Sequence, residues 1–236
     1  MIKVACELQS IGHNVCFVTG YGVESLIKGA GLKFVGIKNS TIQSTKDFFY
    51  SITNQSNLDE ASIMRSIISL LPQTFKDIER IFLEIKPDAV FVDSATYAAA
   101  AVSKLHKFKW ATSCVFPDMI PTRSCIPLEY RINDDEVINV KDHKLVFKLC
   151  EQYENQLSNV FDEEINSFLD KFSLKAKSPA VLNANLSSDL IIAYTAKEWE
   201  YPRNDWPAQL HMVGPDRWEL GDKHFELPSN QPLIYI

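Results

Sequence analysis

Residues 86–117 read KPDAVFVDSATYAAAAVSKLHKFKWATSCVFP, and this stretch decides the fold. Ala89, Val90, Phe91 and Val92 form a short apolar run between Pro87 and Asp93, with the length and composition of a strand buried on both faces. Tyr97, Ala98, Ala101, Val102 and Leu105 then recur at helical spacing in an alanine-rich segment, and Trp110 to Phe116 returns to β-branched and aromatic residues. Strand, helix and strand in this order make a βαβ unit, and hence a parallel α/β sheet. In such sheets ligands collect in the crevice beyond the carboxyl ends of the strands, which is where Asp93 and Phe116 close theirs. Asp93 has two readings at this point: a carboxylate facing the crevice, or a cap for the helix that begins near Thr96.

The flanking sequence extends the pattern. Ile2, Ala5, Leu8 and Ile11 share one helical face, and Gly12 follows where a helix ends. Asn14 to Thr19 reads as a strand, Gly20-Tyr21-Gly22 as a tight turn, Val23 to Ala30 as a helix and Lys33 to Ile37 as a strand. The turn resembles a dinucleotide loop only faintly, because Ser25 stands at its third glycine and Lys38 and Asn39 follow the next strand where an acid is needed. Residues 39–58 are polar and irregular around Phe48, Phe49 and Tyr50. Ser62 to Ile85 is strongly amphipathic, with Pro72 predicting a kink. Prolines at 117, 121 and 127 keep the next segment irregular, which leaves Met119 and Ile120 at the crevice for an apolar ligand. Asp142 to Phe172 predicts a second long helix, and Leu190 to Tyr194 and Gln209 to Val213 two further strands.

Composition narrows the classes. At 236 residues, 46% hydrophobic and 23% charged, the chain is an ordinary globular sequence. A formal net charge of −6 without a basic cluster argues against nucleic acid. The five cysteines have no metal-binding or disulfide spacing; Cys16, Cys114 and Cys150 fall in apolar surroundings, as reduced core residues of a cytoplasmic protein do. No apolar run reaches the roughly 18 residues of a membrane span, and Glu7 and Gln9 interrupt any signal peptide.

Four separated phrases, ELQSIGHNVCFVT with GAGLKFVGI, KPDAVFVDSATYAAAAVSKL, EWEYPRNDW with HMVGP, and QPLIYI, together resemble the UDP-glycosyltransferases of the two-domain GT-B fold, of the macrolide and zeaxanthin glycosyltransferase branch. The resemblance implies a Rossmann-like parallel sheet with helices on both faces, one half of a GT-B fold. It implies an amino-terminal acceptor-binding domain over 1–215, an interdomain linker over 216–230 and the first strand of a carboxyl-terminal donor domain over 231–236.

In that family an acid at the end of the strand matching Ala89–Asp93 partners a catalytic histidine. Asp93 is therefore the implied catalytic residue, with Ser94, Phe116, Pro117 and Met119 as acceptor-pocket candidates. The implied reaction transfers a sugar with inversion from a UDP-sugar to a hydroxyl of a small apolar acceptor. No cofactor or metal is implied, UDP-sugar being a co-substrate. The family's first strand, with the histidine in a GHxNP-like phrase, is expected upstream of Met1, and the donor domain is expected in a missing domain or partner chain, so this chain alone is expected to be inactive. His13 and His106 lie at the amino ends of their strands, about 15 to 20 Å from the crevice, too far to replace that base. His211 and His224, near the linker, are weaker candidates to approach the cleft, and nothing places His143, which opens a long helix. The alternative is a non-catalytic subunit of a split GT-B enzyme that binds acceptor or makes a peripheral membrane contact.

Overall fold

The computed structural model describes residues 1–38, 40, 60–127, 130 and 142–215. The expectations for 41–58, for the linker 216–230, for 231–236 and for His224 lie outside these residues.

The chain opens on α1 (Ile2–Ser10), which ends at Gly12 with a positive φ of 97°. β1 (Cys16–Thr19), a short 3-10 turn (Tyr21–Val23), α2 (Glu24–Gly29) and β2 (Lys33–Gly36) follow, and β1 and β2 pair in parallel. The glycine-bearing turn is a packing device. Tyr21 N–H donates to the Ser40 carbonyl at 2.9 Å, and the Tyr21 ring meets Phe34 edge-on and leaves no room for a side chain at Gly36.

Two helices occupy the stretch expected as one. α3 (Glu60–Ser69) stops, and α4 (Leu71–Ile85) begins with Pro72 in its first turn. A proline there gives up an N–H that has no partner in any case, so the chain breaks and restarts instead of kinking. α4 buries Leu71, Phe75, Ile78, Ile81 and Phe82 along one stripe. Each side chain is worth about 1.5–3 kcal/mol when fully buried. Phe75 is 1% exposed, stacked on Phe172 with ring centroids 4.2 Å apart and edge-on to Phe168. α4 closes on Lys86 in the left-handed conformation, φ 52°, whose N–H bonds the Phe82 carbonyl at 2.8 Å, and Pro87 bars continuation.

β3 (Ala89–Asp93), α5 (Tyr97–Leu105) and β4 (Lys109–Cys114) form the expected βαβ unit, and β5 (Ile191–Ala193) and β6 (Leu210–Met212) complete a sheet of order β3-β4-β5-β6, parallel throughout. Burial of β3 on both faces does not hold. Only Val92 is fully buried and Ala89 is exposed, because β3 is an edge of this sheet among the described residues. α6 (His143–Leu169) starts at Asp142, whose carboxylate accepts from the Lys144 and Leu145 N–H groups, and runs into a 3-10 turn (Asp170–Phe172); α7 (Ala180–Asn183) is a single turn. One large core joins α3, α4, α5, α6, α7 and residues of both sheets. All five cysteines are free; Cys114, Cys125 and Cys150 are buried and Cys16 is half-buried. Among the described residues no helix is long and apolar enough to cross a membrane.

Candidate functional site

The parallel pairing brings the carboxyl ends of four strands into line, Asp93 opposite Ser113, Cys114 opposite Ala193, and Ala193 opposite Met212. The turn after β3 is tightly held. Asp93 Oδ1 accepts from the Ala95 N–H at 2.9 Å, the Asp93 carbonyl from Thr96 N–H at 2.8 Å, and Ser94 N–H donates to the Ser113 carbonyl at 2.9 Å. Asp93 thus braces its own turn. The helix proper is entered through Thr96, which makes no side-chain cap. The side-chain amide of Asn185, 4% exposed, donates to the Ser94 carbonyl.

Behind this turn Tyr97 Oη donates to the Val181 carbonyl at 2.6 Å. Burial pushes the Tyr97 hydroxyl up to about 12, with the Asn185 hydrogen bond working the other way. Thr112 Oγ1 donates to the Asn185 carbonyl at 2.9 Å and accepts from Ser187 N–H at 2.8 Å, so the segment after α7 is fixed to β4 and carries Asn185 to its position. Burial, partly offset by a hydrogen bond with the Phe116 backbone, raises the Cys114 thiol to about 11, and the Asp93 and Glu200 carboxylates add to the rise. A thiol so raised is a core residue and not a nucleophile at neutral pH.

Ser94, Cys114, Met119, Ile120, Leu182 and Asn185 are among the residues around a small, open crevice. Ile120 and Leu182 also wall a second open space, lined too by Thr122, Tyr153 and Glu154. The loop that separates them is anchored by Asp205, which accepts from the Thr122 and Ser124 hydroxyls, the Arg123 N–H and Arg203 Nε. Burial alone would raise the Asp205 carboxyl, but these hydrogen bonds and the Arg203 charge bring it down to about 2. Arg203 also donates to the Ile120 and Pro121 carbonyls and lies over the Trp206 ring at 4.0 Å.

Of the residues singled out from sequence, Ser94 and Met119 meet in the smaller crevice, whereas Asp93, which closes β3 one residue before Ser94, is not among the residues that line it. Phe116, 66% exposed, projects beyond the strand, and Pro117 is buried at the start of a 3-10 turn (Pro117–Met119) outside both spaces. Ile120 is buried at 2% exposure and forms wall instead of open surface. Sequence reasoning did not single out Asn185, Glu200, Arg203 or Asp205. His106 Nε2 bonds Glu79 Oε1 at 2.7 Å at the opposite rim, and His13 follows α1 there too, ahead of β1. Among the described residues no group of three side chains could hold a metal ion.

No protein-family model matches the chain, and no curated protein matches it. Solved structures do. The chain is similar to the glycotransferase of kitacinnamycin, with a TM-score of 0.64 at 11% identity over 97% of this chain and 51% of that one. It is similar to the calicheamicin glycosyltransferase CalG4, with a TM-score of 0.59 at 16% identity over 91% of this chain and 48% of that one. The Streptomyces sp. SF2575 glycosyltransferase SsfS6, complexed with thymidine diphosphate, gives a TM-score of 0.53 at 12% identity over 97% and 53%. The chain spans about half the length of these proteins, and its fold, a parallel α/β sheet flanked by helices, is that of one domain of the GT-B glycosyltransferases.

Proposed function

We propose that this chain, over 1–215, is the acceptor-binding half of a glycosyltransferase that moves a sugar from a nucleoside-diphosphate donor to a hydroxyl of a small, largely apolar acceptor, with inversion. The observation that supports the reading is the largely apolar crevice at the carboxyl ends of β3 and β4, lined by Ser94, Met119 and Leu182 just after Asp93 closes β3, in a chain with the fold of half a GT-B enzyme. The expected donor is UDP-linked; the thymidine diphosphate in SsfS6 belongs to that protein and makes a thymidine donor the competing case.

The acceptor's apolar body lies against Met119 and Leu182 and its hydroxyl points toward Asp93. A histidine from outside the described residues takes the hydroxyl proton, the oxygen attacks the anomeric carbon, and the nucleoside diphosphate leaves. Asp93 orients that imidazole and stabilises its charged form, the role of a third triad member. The exposed Phe116, Trp199 and Tyr201 offer apolar surface to an acceptor or to a membrane that delivers it. The chain works in the cytoplasm and, alone, turns nothing over.

Calorimetry with 4-methylumbelliferone, a small apolar phenol, and with UDP-glucose and dTDP-glucose tests the reading. Saturable binding of the phenol with no heat from either sugar nucleotide supports it. Tight binding of a sugar nucleotide to this chain alone contradicts it.

A further inference from the structure

Two of the five cysteines lie against each other across the fold. Cys125 sits in the loop after the 3-10 turn (Pro117–Met119) and Cys150 on α6, and both are thiols. Cys150 Sγ donates to the Cys125 carbonyl at 3.2 Å, and Cys125 Sγ to the neighbouring Ile126 carbonyl at 3.7 Å. The covalent path from the Cys125 oxygen to its own Cα adds less than about 2.8 Å, so the Cys150 sulfur lies within about 6 Å of that Cα. A disulfide joins Cα atoms about 4.4–6.8 Å apart, a span that a rotation of the Cys125 side chain away from Ile126 brings within reach. Cys6, Cys16 and Cys114 stand on three other elements, α1, β1 and β4.

The contact is held from both sides. Phe147, Cys150 and Glu154 follow one another at helical spacing and share one face of α6. Arg123 pairs its guanidinium with both Glu154 carboxylate oxygens and lies over the Phe147 ring at 5.6 Å, while Ile126 packs with Val146 and Cys150. The residues flanking Cys125 thus pin it beside Cys150. Both cysteines line the second open space, which gives a small reagent a route to side chains that are 7% and 1% exposed.

We infer that Cys125 and Cys150 are a thiol pair that small disulfides oxidise, and that the bond so formed staples the loop 120–126 to α6. Cys125, the more exposed of the two, attacks first. Burial raises the Cys150 thiol to about 11, with the Arg123 charge working the other way, which suits the thiol that attacks second. The Cys125 thiolate attacks one sulfur of glutathione disulfide and releases one glutathione thiolate. Cys150, once deprotonated, attacks the Cys125 sulfur of the mixed disulfide and releases the second. Two electrons and two protons pass from the cysteine pair to the two glutathiones. Under reducing conditions the pair rests as two thiols, the state of this structure. The inference rests on thiol placement and not on glycosyl transfer, so either can fail alone.

The test incubates this chain with glutathione disulfide at mildly alkaline pH, alkylates the remaining thiols and maps the peptides by mass. Cys125 is expected to be joined to Cys150. The thermal midpoint is expected to rise by about 5 °C or more and to return with dithiothreitol. Cys150→Ser is expected to hold glutathione on Cys125, Cys125→Ser to take it on Cys150 about tenfold more slowly, and neither variant to show the rise. Alkylation of both Cys125 and Cys150 after the treatment, a disulfide of either with Cys6, Cys16 or Cys114, or equal rates in the two variants would overturn the inference.

Discussion

Asn185 holds the backbone of Ser94 from 91 residues away, its side-chain amide donating to the Ser94 carbonyl while its own carbonyl accepts from Thr112 Oγ1. The turn that presents Asp93 is thereby tied to β4 through the segment after α7. Asn185→Ala leaves the carbonyl of the half-buried Ser94 without its donor and removes the neighbour of the Tyr97 hydroxyl. An unmade buried hydrogen bond costs about 1–3 kcal/mol, and urea unfolding should show a loss of that size.

Asp205 predicts the acid limb of the stability curve. Its folded carboxyl is at about 2, below the ordinary value of 3.8, so it binds its proton less readily folded than unfolded. Its contribution is therefore fully present above the unfolded value and is lost as pH falls through the folded one, between about pH 4 and about pH 2. For a carboxylate that is partly exposed and screened, the loss is on the order of 1 kcal/mol. Thermal unfolding at stepped pH should show this loss in the native chain and not in Asp205→Asn.

Lys86 offers a gain. It ends α4 at φ 52°, a conformation that costs a residue with a side chain roughly 1 kcal/mol and glycine almost nothing. Glycine loses more entropy on folding, which offsets part of the relief. Lys86→Gly should raise stability by a few tenths to about 1 kcal/mol, read as a higher urea midpoint with unchanged slope.

The order of elements was legible because their periods differ. Helical stripes such as Phe75, Ile78 and Phe82, and four short apolar runs ending at Thr19, Asp93, Phe116 and Tyr194, predict helices and strands that the chain forms. Pro72 predicts a kink from sequence because its position in a helix depends on where that helix begins, which the preceding apolar stripe conceals. The site was half legible. Ser94 and Met119, which line one crevice, were legible as residues just past the carboxyl end of a strand. Asn185 and Asp205 were not, because their partners, the Ser94 carbonyl and the Arg123 N–H, are 91 and 82 residues distant and no local pattern links them. Glu200, Arg203 and Asp205 all fall in the phrase EWEYPRNDW, whose charges have no period that would mark an internal anchor.

The central claim is that an apolar acceptor enters the crevice beside Asp93, and the methionines report on it directly. The chain has four, at 1, 64, 119 and 212. With the methyl carbons labelled, titration of 4-methylumbelliferone should shift the Met119 signal saturably and leave Met1 and Met64 in place, and Met119→Asp should weaken the phenol's binding about tenfold, the cost of setting a charge against an apolar ligand. Saturable binding that moves Met1 or Met64 while Met119 stays fixed would contradict the claim.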